Sequence, residues 1–384
     1  MKQSREFLIL LFATVMTISS LYAPQPVQPI IAEEFGLTMS QASLLTTATM
    51  VPLAVAPVFY GYILESVSAG RVLLFSLAFL SVCQFMFFFS NTFYLLVAVR
   101  FLQGCAIPAV LTGIMTYIAD TSEKSNIQKN MALYISATIF GGFAGRFFSG
   151  MIAHYAGWRV MFLILGISLA FAVYLIRTLP ENKTTLAKMN PRAAADILSQ
   201  RLFTMIYIMI FFMFFMFAAV LNFVPFRLRQ IDPNSGELVI GIMYTGYIMG
   251  IIMSVNVMKI IKYLGSELRT VFAGLTSFVL SLVLFVSGDT RLMFLGMFVF
   301  CASMFLAHTA AAGYVNKIAD KHKGVTNGLY VAFYYAGGAL GSVLPGLIYE
   351  DFGWRSFILL LGVLMTSAIL MGRFVLRGYM IKHT

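Results

Sequence analysis

Twelve apolar runs, each long enough to cross a bilayer, leave this chain few ways to fold. They fall at residues 7–31, 41–64, 71–90, 93–119, 130–153 and 158–177, then 203–226, 238–261, 269–287, 291–315, 326–349 and 354–376. Runs of about 18 or more apolar residues read as membrane-spanning helices. A barrel strand would instead alternate apolar and polar over about 10 residues, and these runs do not. Only 11% of the 384 residues are charged and 60% are hydrophobic, where soluble domains carry about 25% charge. The first run follows Lys2 and Arg5 like a signal peptide, but it continues to Ile31, and Pro24 follows the one small residue suited to cleavage. It is read as a retained first span. The fold expected is an all-α integral membrane bundle.

Between the sixth and seventh runs lies "RTLPENKTTLAKMNPRAAADILSQR", 177–201, the longest polar segment. It reads as a linker, with a short surface helix at "AAADIL". This divides the chain into a six-helix bundle at 1–177, a cytoplasmic linker at 178–202 and a second bundle at 203–384. Of 26 Lys and Arg residues, 19 fall on the side of the N-terminus, 5 on the opposite side and 2 within spans. That bias puts both termini in the cytoplasm. The net charge of +11 therefore reflects topology and does not point to nucleic acid. Cys83, Cys105 and Cys301 all lie in apolar spans, which gives neither a disulfide framework nor metal spacing.

The two bundles are related by duplication. "GGFAGRFFSGMIAHYAGWRVMFLILG", 141–166, matches "GGALGSVLPGLIYEDFGWRSFILLLG", 337–362, at 11 of 26 positions without a gap. The chain's two tryptophans, Trp158 and Trp354, coincide, and Leu133-Tyr134 aligns with Leu329-Tyr330 at the same offset. Six spans separate the copies, so they share an orientation, and the halves are related by an axis along the membrane normal.

With these features the chain resembles the major facilitator superfamily, which has such paired six-helix halves. The most specific piece is "RFLQGCAIPA", 100–109, similar to that family's R-x-x-Q-G segment through Arg100, Gln103 and Gly104. "GYILESVSAGR", 61–71, resembles its loop between spans two and three: Gly61 and Glu65 keep the spacing, Ser66 stands where the family has Arg, and Gly70-Arg71 arrives late. "GGFAGR" with "LYAPQP", 21–26, resembles a YnfM-like branch of efflux permeases. The resemblance implies alternating access, with a cytoplasmic gate at Gly61, Glu65, Arg71, Asp120, Arg269 and Asp320. It also implies that the fifth and eleventh helices meet the opposite half along a seam at Gly141, Gly145, Gly337 and Gly341. Small residues spaced G-x-x-x-G let backbones approach closely in lipid. The repeated "GWR", 157–159 and 353–355, is read as an interfacial Trp whose Arg neighbour reaches headgroups or loops.

The embedded polar residues are the candidates for chemistry. Arg100 lies roughly 10 Å in from the near end of its span and Arg146 roughly 24 Å along its own, at about 1.5 Å per residue. No Asp or Glu lies in the middle of any span. A buried cation costs about 2.5 kcal/mol or more on insertion scales, and Arg does not escape by deprotonating. Arg100 is expected to hydrogen-bond to backbone of the first or fifth span and order the bundle, with coupling as a second role. Arg146 stands opposite Ser342 in the repeat, so packing shared by the halves does not require its charge. It is placed in a substrate cavity, as the partner of an anionic group or as a switch between conformations. Snorkelling to the outer interface is the alternative. Tyr22, Gln25, Gln103, Tyr134, Tyr207, Asn222, Tyr244, Tyr247, His308, Tyr334 and Tyr335 complete the cavity set, suited to a ligand of mixed polarity. His308 is the one imidazole in mid-span and a candidate proton carrier.

The chain carries no P-loop, metal ligand set or nucleophile constellation. It is therefore not expected to be an enzyme or to hold a metal or cofactor. The expected activity is secondary active transport of a small organic solute across a bacterial inner membrane by a monomer in lipid, with proton-coupled efflux first. Uptake or exchange of an organic anion, with Arg146 and Arg100 as counter-charges, is the alternative. A non-transporting membrane sensor is the third reading.

Overall fold

The computed structural model describes the backbone of residues 2–66, 68–122, 127–180, 191–233, 236–319 and 323–381. Within those helices the side chains at 2–4, 57–66, 119–120, 127–129, 191–193, 323 and 380–381 lie outside the described residues.

Among the described residues every regular element is helical, and eleven helical segments are long and apolar enough to cross a membrane. The last, Gly324–Tyr379, has 56 residues. At about 1.5 Å per residue it would be nearly three bilayer cores long. It turns at Gly353, where φ is 79° and ψ 175°, a conformation confined to glycine. The segment is therefore two passes, making twelve among the described residues. Gly157, with φ 87° and ψ 150°, makes the same turn between the fifth and sixth spans. These two glycines explain the first letter of the repeated "GWR". A short helix, Pro191–Leu198, lies in the polar segment between the sixth and seventh spans.

Prolines decide where spans break. The first span runs as Lys2–Tyr22, a 3-10 turn at Gln25–Val27, then Gln28–Phe35. Pro24, Pro26 and Pro29 each remove a backbone donor, so a continuous helix cannot form there. The seventh span, Arg201–Ile231, stays continuous around the single Pro225. The eleventh opens after Gly341 and resumes at Leu344, ahead of Pro345.

The chain separates into two compact units: Met1–Thr38, Leu44–Met189 and Ser235–Ile242 form one, and Met39–Ser43, Asn190–Asn234 and Met243–Thr384 the other. Packing repeats inside each. In the first unit the first span lies on the fifth and the third on the fourth and sixth. In the second the seventh lies on the eleventh and the ninth on the tenth and twelfth.

The glycine seam belongs to this packing. A Cβ on Gly145 would sit 2.6 Å from the Ser19 carbonyl oxygen, and one on Gly141 2.9 Å from that of Val15. Cβ atoms on Gly337 and Gly341 would overlap the carbonyl oxygens of Phe211 and Phe215. These four glycines thus seat the fifth span on the first and the eleventh on the seventh. G-x-x-x-G marks close approach without naming the partner helix, and these contacts name one within each unit.

The next glycines, five residues further on in each copy, meet helix starts from elsewhere in the chain. In the first unit Gly150 packs on Glu237 and Gly241, the start of the eighth span. In the second, Gly346 packs on Ser40, and the Ser40 backbone N–H donates to a Glu350 carboxylate oxygen at 2.7 Å.

Candidate functional site

Arg100 answers the break in the first span. Pro24 has no N–H to give the Ser20 carbonyl four residues back, and irregular backbone at membrane depth must find donors elsewhere. Arg100 is fully buried. Its Nη1 donates to Ser20 O at 2.9 Å and its Nη2 to Leu21 O at 2.6 Å. Its Nε donates to Leu45 O of the second span at 2.8 Å, and Nη1 also to Gln103 Oε1 at 2.6 Å. The R-x-x-Q spacing is one helical turn, which lets Gln103 orient the guanidinium. Four of the five donors of this side chain are thereby engaged in holding spans one, two and four together.

The second unit solves a similar problem without charge. Pro225 leaves the Leu221 carbonyl without its i+4 donor, and Tyr244 OH donates to it at 2.8 Å. One freed carbonyl needs one hydroxyl. Consecutive carbonyls on one helix and a third on another need the fork of an arginine.

Arg146, 1% exposed, lies in the first unit on the fifth span. Its Nε donates to Gln25 Oε1 at 2.6 Å and its Nη1 to Gly142 O at 2.7 Å. The guanidinium carbon stands 3.9 Å from the centroid of the Tyr22 ring, a cation–π contact. A Cβ on Gly142 would sit 3.4 Å from Nη1, so the glycine makes room for the guanidinium. The side chain runs back toward the start of its helix, which rules out snorkelling to the outer interface. Gln25 Nε2 and, one turn on from Arg146, Ser149 Oγ are fully buried and have no hydrogen-bond partner. Arg146, Tyr22 and Gln25 thus come together as one cluster.

In the second unit Asn222 Nδ2 donates to the carbonyl of Ser342 at 2.9 Å. Ser342 is the counterpart of Arg146. Both halves therefore link the same two spans at the same level, and the first half alone does so with a charge.

The family model described as the Major Facilitator Superfamily matches residues 10–319. The chain belongs to the Major Facilitator Superfamily. It is 26% identical over 376 residues to the inner membrane transport protein YnfM of Escherichia coli (strain K12), covering 96% of this chain and 89% of that one. It is 23% identical over 369 residues to the uncharacterized MFS-type transporter YybF of Bacillus subtilis (strain 168), covering 94% and 91%. Among solved structures, the nucleoside transporter NupG matches with TM-score 0.82 at 12% identity, over 96% of this chain and 99% of that one; at that identity the likeness concerns the fold. Family and fold are those of membrane transporters.

The remaining candidates of this major-facilitator chain fall into separate places. In the second unit His308 Nδ1 lies 2.9 Å from Tyr330 OH, and its ring 4.9 Å from that of Tyr334. Tyr334 stacks on Phe214 at 3.6 Å and meets Tyr335 edge-on. Tyr247 packs against Phe217 and Phe305, and Tyr207 OH donates to Thr326 O at 3.0 Å. Tyr134 OH donates to Leu111 O at 3.3 Å, apart from Arg146's partners. Of the gate residues, the side chains of Gly61, Glu65, Asp120 and Asp320 lie outside the described residues. Arg71 and Arg269 are exposed, and at that end of the second unit Lys317 pairs with Glu267 at 2.6 Å.

The "GWR" tryptophans are buried against the protein. Trp158 Nε1 donates to Glu34 at 2.7 Å, and Arg159 grips the same carboxylate at 2.7 and 3.1 Å. Trp354 Nε1 donates to Phe285 O at 2.6 Å. Two further residues went unnoticed in the sequence. His154 and Glu350 occupy equivalent repeat positions, and each meets a helix start: His154 Nδ1 lies 4.0 Å from Glu237, as Glu350 caps Ser40. The repeat alignment places them opposite each other, which was the available signal.

Proposed function

We propose that this transporter moves a small organic anion by alternating access, in uptake or exchange, with Arg146 as the counter-charge. It acts as a monomer in a bacterial cytoplasmic membrane, with both termini cytoplasmic, as the distribution of Lys and Arg supports. One observation carries the reading. The cluster at Arg146 joins a cation to Gln25, whose Nε2 is buried and has no hydrogen-bond partner among the described residues, in spans whose middles hold no carboxylate. A cation beside an unpartnered donor suits an anionic group. Arg100, with its donors engaged by carbonyls, is left out of the binding role.

Proton-coupled efflux is the second reading, favoured by the His308–Tyr330 contact at 2.9 Å. An imidazole is suited to carry a proton near neutral pH.

The test is uptake by the purified chain in proteoliposomes under an imposed pH gradient, with anionic and cationic organic solutes side by side. Anion uptake well above protein-free vesicles is expected, with little for cations. Transport of cations alone would contradict the reading.

A further inference from the structure

We propose that a recess on the side of the first unit binds an anionic phospholipid, with the phosphate on Arg177 and an acyl chain between the third and sixth spans, whatever solute the transporter moves. The third span, Ala69–Phe89, lies along the sixth, Trp158–Ile176. Between them is a recess of about 280 Å³ lined by Ala78, Ser81, Ala170, Val173, Tyr174 and Arg177. The two alanines keep it open, since neither has a side chain long enough to fill it. Ser81 Oγ donates to Gly166 O at 2.7 Å, so its hydroxyl is spent inside the protein and the wall is largely hydrocarbon. Phe75, Phe79 and Phe171 on the same stretch of the two helices are exposed, apolar surface of the kind that meets a membrane.

Arg177 caps the end of the sixth span, six crossings from the N-terminus and therefore at the same membrane surface. Ala170 lies seven residues deeper, roughly 10 Å at about 1.5 Å per residue. Tyr174 stands between the two levels and is exposed, as suits an amphipathic ring near the headgroups. A cation at headgroup depth with a hydrocarbon recess beneath it matches the two ends of a lipid, and the guanidinium fork matches phosphate.

The repeat separates this site from ordinary interfacial charge. The ungapped alignment of 141 with 337 runs on to Arg177 and Arg373. Counted from Arg71 and Arg269, buried Leu73, Leu77 and Leu80 fall opposite buried Val271, Leu275 and Phe278. This sets Leu74 opposite Phe272 and Ala78 opposite Thr276. In the second unit Arg373 Nη2 donates to Thr276 Oγ1 at 3.4 Å, and its guanidinium carbon stands 5.8 Å from the Phe272 ring centroid. Leu74 and Ala78 offer Arg177 neither ring nor hydroxyl. Its side chain makes no hydrogen bond or ion pair among the described residues. The arginine that braces the second unit internally is thus turned outward in the first.

The test is native mass spectrometry of the purified full-length chain, incubated in detergent with phosphatidylglycerol or with phosphatidylcholine of the same acyl chains. One phosphatidylglycerol per chain is expected to be retained, about fivefold more often than phosphatidylcholine, the worth of one arginine at an anionic surface. Arg177→Gln should erase that preference. Ala170→Phe, which fills the recess and keeps the charge, should lower retention of both lipids. Arg373→Gln should change neither. Equal retention of the two lipids by the wild type, or a preference that survives Arg177→Gln, overturns the proposal. So does retention untouched by Ala170→Phe, which would leave the acyl chain without a seat. A preference lost equally in Arg373→Gln would assign it to general interfacial charge. Displacement of the lipid by glycerol 1-phosphate at matched concentration would make a free phosphate the ligand; either result overturns the lipid site.

Discussion

Replacing Arg100 by Met is expected to remove most folded protein from the membrane. The substitution keeps much of the bulk and strips the side-chain donor from Ser20 O and Leu21 O at the break in the first span; Leu45 O loses its Arg100 bond but keeps Thr49 Oγ1 at 3.3 Å. A buried polar group left without a partner costs about 1–3 kcal/mol. Two of them take a large part of the stability of a typical protein, about 5–15 kcal/mol. The sharper part of the expectation is rescue. Pro24→Ala returns a backbone N–H four residues on from Ser20, so the double variant Arg100→Met/Pro24→Ala should recover part of the folded yield. Pro24→Ala alone should be mild. The measurement is the monodisperse fraction in detergent and its thermal midpoint. Wild-type yield for Arg100→Met, or a double variant no better than the single, would show that the arginine does not serve the broken helix.

Gln25→Glu is expected to do the opposite: leave the fold intact and remove transport. The Arg146 Nε bond to Gln25 Oε1, 2.6 Å long, survives the change, because a carboxylate accepts in the same place. The link between the first and fifth spans is retained or strengthened. What changes is charge, since the introduced carboxylate neutralises Arg146 before any solute arrives. Losing a counter-charge at membrane depth is worth about 2.5 kcal/mol, so anion uptake should fall on the order of 50- to 100-fold. Uptake per folded molecule at the wild-type level would reduce the Arg146–Gln25 contact to a structural link, the charged version of Asn222–Ser342.

Much of the fold was legible because it rests on short-range facts. Apolar runs set the spans, the distribution of Lys and Arg suggested the topology, and the duplicated "GGxxG…GWR" announced two similar halves. The glycine of "GWR" was legible as a repeat but not as a turn. Its role rests on a positive φ at Gly157 and Gly353, and its tryptophans are buried because acceptors at Glu34 and Phe285 wait inside the bundle. The site was half legible. That Pro24 and Pro225 free the carbonyls of Ser20 and Leu221 follows from chain chemistry alone. The donors are legible in part: the sequence points Arg100 to backbone of the first or fifth span, but only tertiary packing decides that it meets Ser20 and Leu21 and that Tyr244 of the eighth span meets Leu221. The same limit hides the packing partner of Gly141 and Gly145, since G-x-x-x-G gives no sign that the first span lies against them. The asymmetry between Arg146 and Ser342 was visible in the alignment. That Asn222 makes the matching link in the other half was not, and this link separates the structural part of Arg146's position from its charge.

The central claim is that of the two buried arginines, Arg100 serves the fold and Arg146 serves the solute. The most direct measurement is anion uptake in proteoliposomes by Arg146→Ser, which gives the first half the residue its repeat carries at Ser342, normalised to the amount of folded transporter. The account predicts folded protein near the wild-type amount and uptake close to that of protein-free vesicles. Uptake per folded molecule unchanged from the wild type would contradict it.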